Sequence, residues 1–127
     1  MSATDLSMQS ESVGPFRLER RVLREDWLEL QILGELDVSV VEEFRSGLDE
    51  SIAEQMNLAL NLEACQFLDC AGLAEILAAR RRIREVGQDL CLSAISPAAQ
   101  RLFELTGVLG TNLMLEVPTG RRGAAFR

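Results

Sequence analysis

Two hydrophobic periods alternate along this chain, and that alternation limits what it can fold into. Residues 16–23 and 27–33 read as strands, and in the second Leu28, Leu30 and Ile32 share one face while Glu29 and Gln31 share the other. The polar run Arg24-Glu25-Asp26 between them reads as the turn of a hairpin. The period then lengthens: Val41, Phe44, Leu48 and Ile52 form the stripe of an amphipathic helix, with Ser39 and Glu42 spaced as a capping box. A short strand is predicted over 57–62. A second helix is predicted over 71–85, with Leu73, Ile76, Leu77 and Ile83 inward, stopped by Gly87. A strand over 90–95 follows. Ser96-Pro97 then opens a third helix that carries Leu102, Phe103 and Leu105 and ends near Gly107. Residues 113–117 read as a last strand. The order β-β-α-β-α-β-α-β predicts an α/β domain, a largely parallel sheet with helices packed on it.

The ends differ from this middle. Residues 1–14 are polar, with few large apolar side chains, and read as a disordered tail. Residues 118–127 read as a flexible basic tail, which leaves 15–117 as one folded domain. A chain of 127 residues fits one such domain. It has no apolar run near the ~20 residues of a membrane span and no signal-peptide pattern at its start, so a cytoplasmic protein without membrane insertion is expected.

Composition removes several function classes. The chain has no His, which takes away the usual base of hydrolases and makes a metal site unexpected; no cofactor is expected either. Three Cys, an odd number, fit a reducing compartment rather than a disulfide framework. Cys65 and Cys91 lie in or beside apolar strands and are expected in the core. The net charge of −7 argues against direct nucleic-acid binding. That charge is uneven: residues 1–69 hold 5 Arg against 15 acids, and residues 70–127 hold 8 Arg against 5 acids. Source composition accounts for this, and an acidic docking face for a basic partner is the alternative. Arg80-Arg81-Arg82 with Arg84 falls in the last turns of the second helix, where Arg complements the helix dipole on a solvated face; docking to an acidic or phosphate-bearing partner is again the alternative.

Four short motifs remain. Gly34-Glu35-Leu36-Asp37 joins a strand to a helix start, where carboxylates are favoured by the dipole. Phe67-Leu68-Asp69-Cys70-Ala71-Gly72-Leu73 joins a strand-like run to the second helix, with Asp69 suited to capping and Gly72 to a close backbone approach. Ile95-Ser96-Pro97-Ala98 and Leu105-Thr106-Gly107 bracket the third helix. Each alone is satisfied by a turn or a cap. In this order and spacing, over residues 16–117, they resemble the STAS domain, and among its members the bacterial anti-sigma factor antagonists.

The resemblance implies a sheet of four or five strands, mostly parallel or mixed, with three main helices against it. It implies a non-enzymatic module that binds an anti-sigma factor, typically a small serine kinase, and so frees a sigma factor in a partner-switching circuit. Partner contact would fall on Glu35, Asp37, Asp69, Cys70, Ala71 and Gly72. In the family a Ser follows the motif Asp, and its phosphorylation breaks the complex. Here that position is Cys70.

A phosphate would add about −1.5 to −2 charges beside Asp37 and Asp69. Cys70 cannot take it as an ordinary serine-kinase substrate, and its thiol is close in size to the hydroxyl. The expectation is a module that binds without being switched off. Two alternatives stand beside it. One is a non-switching STAS subunit of a transport ATPase assembly, whose members also often lack the Ser. The other is a thiol redox sensor, favoured by the helix N-terminus and opposed by the two acids. An enzyme with a Cys70 nucleophile lacks a base.

Overall fold

The computed structural model describes residues 15–107. The hairpin forms as the alternation predicts: β1 (Arg17–Arg24) pairs antiparallel with β2 (Trp27–Leu36). The chain then passes through a 3-10 turn (Val38–Val40) into α1 (Val41–Ile52). After it come β3 (Asn57–Leu62), β4 (Cys65–Leu68), α2 (Cys70–Glu85), β5 (Leu90–Ile95) and α3 (Pro97–Thr106). The sheet runs β1-β2-β3-β5, with β4 also paired to β2. Only the β1–β2 pair is antiparallel; β2–β3, β2–β4 and β3–β5 are parallel. The fold is the mixed α/β domain expected. The predicted strand over 113–117 and both predicted tails lie outside the described residues.

One face of the sheet carries the main core. Leu28, Leu30, Ile32 and Leu36 of β2 pack with Leu58, Leu60 and Leu62 of β3 and Leu90 and Leu92 of β5. Phe44 and Leu48 of α1, Leu73, Ile76, Ala79 and Ile83 of α2, and Ala99 and Phe103 of α3 close over them. Leu77, Leu102 and Ile52 pack at the margin, whereas Leu105 is 79% exposed. α3 starts and stops as its sequence predicts. Ser96 Oγ accepts from Ala99 N at 3.2 Å, Pro97 takes the first turn, and Gly107 ends the helix in the left-handed conformation that glycine favours. Gly87 closes α2 in the same conformation.

Three expectations are corrected. Ser39 does not cap α1. Asp37 caps the 3-10 turn in front of it instead: its Oδ1 accepts from Ser39 N at 3.0 Å and Ser39 Oγ at 2.6 Å, and Ser39 lies inside that turn, so that Val40 and not Ser39 immediately precedes α1. β4 is a strand in its own right. It continues along β2 after β3 turns at Glu63-Ala64, with the pairing slipping between Gly34 and Glu35 so that Gly34 faces Cys65 and Glu35 faces Phe67. The Arg run on α2 is not wholly a solvated face. Arg80 is buried, and Arg82 bonds Glu75 and Asp49, each at 3.0 Å.

Candidate functional site

Two loops meet where β2 and β4 end side by side. Glu35 and Phe67 are paired in register and both point to solvent; Leu36 and Leu68 are paired and both are buried. Beyond them β2 runs into the 3-10 turn and β4 runs into α2. The main chains stay in contact, because Asp69 N donates to Leu36 O at 3.3 Å.

Asp69 organises the junction. It is the N-cap of α2, with extended backbone (φ −106°, ψ −178°), and its Oδ1 accepts from Gly72 N at 2.9 Å. Its Oδ2 accepts from Val38 N at 3.1 Å, in the other loop. Both carboxylate oxygens therefore hold backbone N–H groups. Asp37, next to Val38, spends one oxygen on Ser39 in the same way.

Gly72 lies beneath the surface rather than on it. A Cβ there would stand 2.8 Å from Leu36 Cγ, 2.8 Å from Leu68 Cδ1 and 2.9 Å from Leu36 O. No side chain fits where α2 crosses the end of β2 this closely.

Cys70, by contrast, is exposed at the first residue of α2, with Ala71 half-buried behind it. Cys65 and Cys91 are buried free thiols, as expected. Burial pushes the Cys65 thiol up. It pushes Cys91 up to about 12, with Asp89 adding to the effect. Two exposed apolar side chains that the motifs did not single out as contacts flank Cys70: Val38, 68% exposed, and Phe67, 47% exposed. The available signal was Phe67 itself, a large aromatic on a short strand opposite an exposed acid.

A groove of about 320 Å³ lies along α3 between Ile95, Pro97, Gln100, Arg101 and Glu104, and one of about 410 Å³ lies between Ile52, Ala53, Gln55, Val86 and Gln88. Neither includes Glu35, Asp37, Asp69 or Cys70. Among the described residues no group of Cys, Asp and Glu is arranged to hold a metal ion, and no helix is long and apolar enough to cross a membrane.

The mixed sheet has two strand ends tied to one capped helix, with an exposed small residue just after the cap. Residues 20–117 match the STAS domain family, and the chain belongs to that family. It is 29% identical over 81 residues to the anti-sigma F factor antagonist of Paenibacillus polymyxa, an alignment that covers 62% of this chain and 69% of that protein. Among solved structures it is similar to the anti-sigma factor antagonist SpoIIAA in its unphosphorylated form, with a TM-score of 0.63, 26% identity, and coverage of 81% of this chain and 88% of the other. An anti-sigma factor antagonist from Mycobacterium paratuberculosis shares the fold, with a TM-score of 0.71 and 20% identity over 87% of this chain and 92% of the other.

Proposed function

We propose that this chain is an anti-sigma factor antagonist. It binds an anti-sigma factor of the serine-kinase type in the cytoplasm and so releases a sigma factor. The observation that carries the reading is the setting of Cys70. In a chain of the STAS family whose relatives bear that functional name, an exposed thiol follows the capping Asp69, on the position where the resemblance puts a phosphorylatable Ser. The thiol offers the partner a group of hydroxyl size and offers the kinase no oxygen to phosphorylate. The module therefore binds without being switched off.

The docking surface comprises Val38, Phe67, Cys70 and Ala71, with Glu35 and Asp37 at its rim. Apolar centres with a charged border are the usual anatomy of a protein–protein contact. The transport-subunit reading draws no support from the Paenibacillus relative or from SpoIIAA, both of which are anti-sigma factor antagonists.

The test is a pull-down from the source organism with mass-spectrometric identification, followed by phosphorylation of wild type and Cys70→Ser by the recovered kinase. Recovery of a small serine kinase, with phosphate entering only Cys70→Ser, is expected. Recovery of a transporter ATPase without such a kinase overturns the antagonist reading. Phosphate on wild-type residue 70 overturns the unswitched reading.

A further inference from the structure

We infer that Asp69 is the positioning residue of this surface: its carboxylate couples the two docking loops into one body and does not itself meet the partner. For what the surface docks, the inference rests on the antagonist reading; for how the surface is held, it rests on geometry alone. Each carboxylate oxygen has a backbone donor from a different element, Gly72 N in the first turn of α2 at 2.9 Å and Val38 N in the 3-10 turn at 3.1 Å. The main-chain N–H of the same residue reaches Leu36 O at 3.3 Å. Gly72 packs directly over that Leu36 carbonyl. Val38 on the 3-10 turn and Cys70 at the start of α2 are thereby presented in a fixed relation. A partner that meets both pays the ordering cost of neither loop.

The two bonds can be cut separately. In Asp69→Asn the amide oxygen still accepts from Gly72 N, and Asn is as good an N-cap as Asp. The amide NH2 then faces Val38 N–H, donor against donor. Val38→Pro removes the same bond from the other end. It fits the backbone, because Val38 is the first residue of the 3-10 turn and Asp37 before it is already extended (φ −131°, ψ −175°). In Asp69→Asn/Val38→Pro the opposing donors are gone, yet the loops stay uncoupled.

The experiment uses the full chain. Amide exchange by NMR should show Val38 losing protection in Asp69→Asn by about tenfold, a hydrogen bond's worth, while Gly72 keeps its own. In thermal unfolding, Val38→Pro should restore part of the stability lost in Asp69→Asn, a non-additive pair. Affinity for the serine kinase recovered by the pull-down, measured by calorimetry, should behave differently. It should fall about tenfold in Asp69→Asn and stay low in the double variant, beyond what Val38→Ala costs by trimming the side chain. Affinity that returns with stability would make Asp69 merely structural and overturn its positioning role. Equal exchange of Val38 in wild type and Asp69→Asn would overturn the link itself. If wild type binds no kinase, the antagonist reading fails, while exchange and unfolding still decide whether Asp69 joins the loops.

Discussion

Gly72 and Cys70 stand two residues apart and answer opposite demands. Gly72 is buried where any Cβ would press within 2.9 Å of the Leu36 carbonyl, and a carbonyl cannot yield as a side chain can. Gly72→Ala is expected to cost about 1–3 kcal/mol by overpacking, read from the denaturation midpoint. An unchanged midpoint would mean that α2 can lift off β2 freely. Cys70 touches no core, so Cys70→Ser should shift stability by less than about 0.5 kcal/mol. Its exposure also sets a thiol count. A thiol reagent should modify one Cys in the native chain and three once it is unfolded, because Cys65 and Cys91 are buried and held protonated. Two or three fast native thiols would contradict the burial. At this scale the sequence shows the Asp69 cap and the small residues after it, since both are local signals. It does not show the bond to Val38, which joins positions 31 residues apart.

At the scale of elements, α1 and α2 are clamped by charge as well as by their apolar stripes. Glu75 of α2 is buried, and its two oxygens accept from Arg45 Nε at 3.1 Å and from an Arg82 terminal nitrogen at 3.0 Å. Arg45 also bonds Glu42, and Arg82 also bonds Asp49, so two arginines converge on one buried carboxylate and each carries a second acid at the surface. The hydrogen bond to Glu75 is the first cause that raises the Arg45 pKa, followed by the Coulomb attraction of Glu75 and then of Glu42. Glu75→Gln keeps the shape and discards the charge. It should cost about 1–3 kcal/mol in urea unfolding, the worth of charge-assisted hydrogen bonds made by a buried acceptor, less what the half-exposed Arg partners regain from water. No loss would show that the helices are held by Phe44, Leu48, Leu73 and Ile76 alone. Helix and strand identities were legible because each has its own hydrophobic period, and α3 was legible to its ends because Ser96-Pro97 and Gly107 are local start and stop signals. β4 was not, because four residues with only Cys65 and Leu68 inward are too short to show a period. The start of α1 was misread because a 3-10 turn capped by Asp37 takes up Val38–Val40 and leaves Ser39 inside it, and only the fold shows that turn.

Across the whole molecule, the sheet has a second buried face that strand alternation alone assigns to solvent. Trp27 of β2, Ala59 of β3 and Cys91 of β5 form a small cluster opposite the helices. Glu29, predicted on the outer face, is there but buried, paired with Arg21 at 3.0 Å and accepting from Asn61 at 3.1 Å. A period of two tells which residues share a face but not what covers it. This cluster gives the molecule an alkaline limit. Burial holds the Cys91 thiol at about 12, whereas an unfolded thiol ionises from about pH 8.5–9. Below that pH both states keep the proton and the contribution to stability is complete. Between about pH 9 and 12 the unfolded chain sheds a proton that the native chain retains, so stability falls with rising pH, by up to about 1.4 kcal/mol per pH unit for this thiol. Trp27, the single Trp of the chain, packs in the same cluster and reports unfolding by fluorescence. Under reducing conditions, wild type should lose stability steeply from about pH 9 to 11. Cys91→Ala should start lower for want of the sulfur's packing, yet fall less steeply. Equal slopes in the two proteins would place the alkaline sensitivity elsewhere than Cys91, with Cys65 the next thiol to replace, since burial raises it in the same direction.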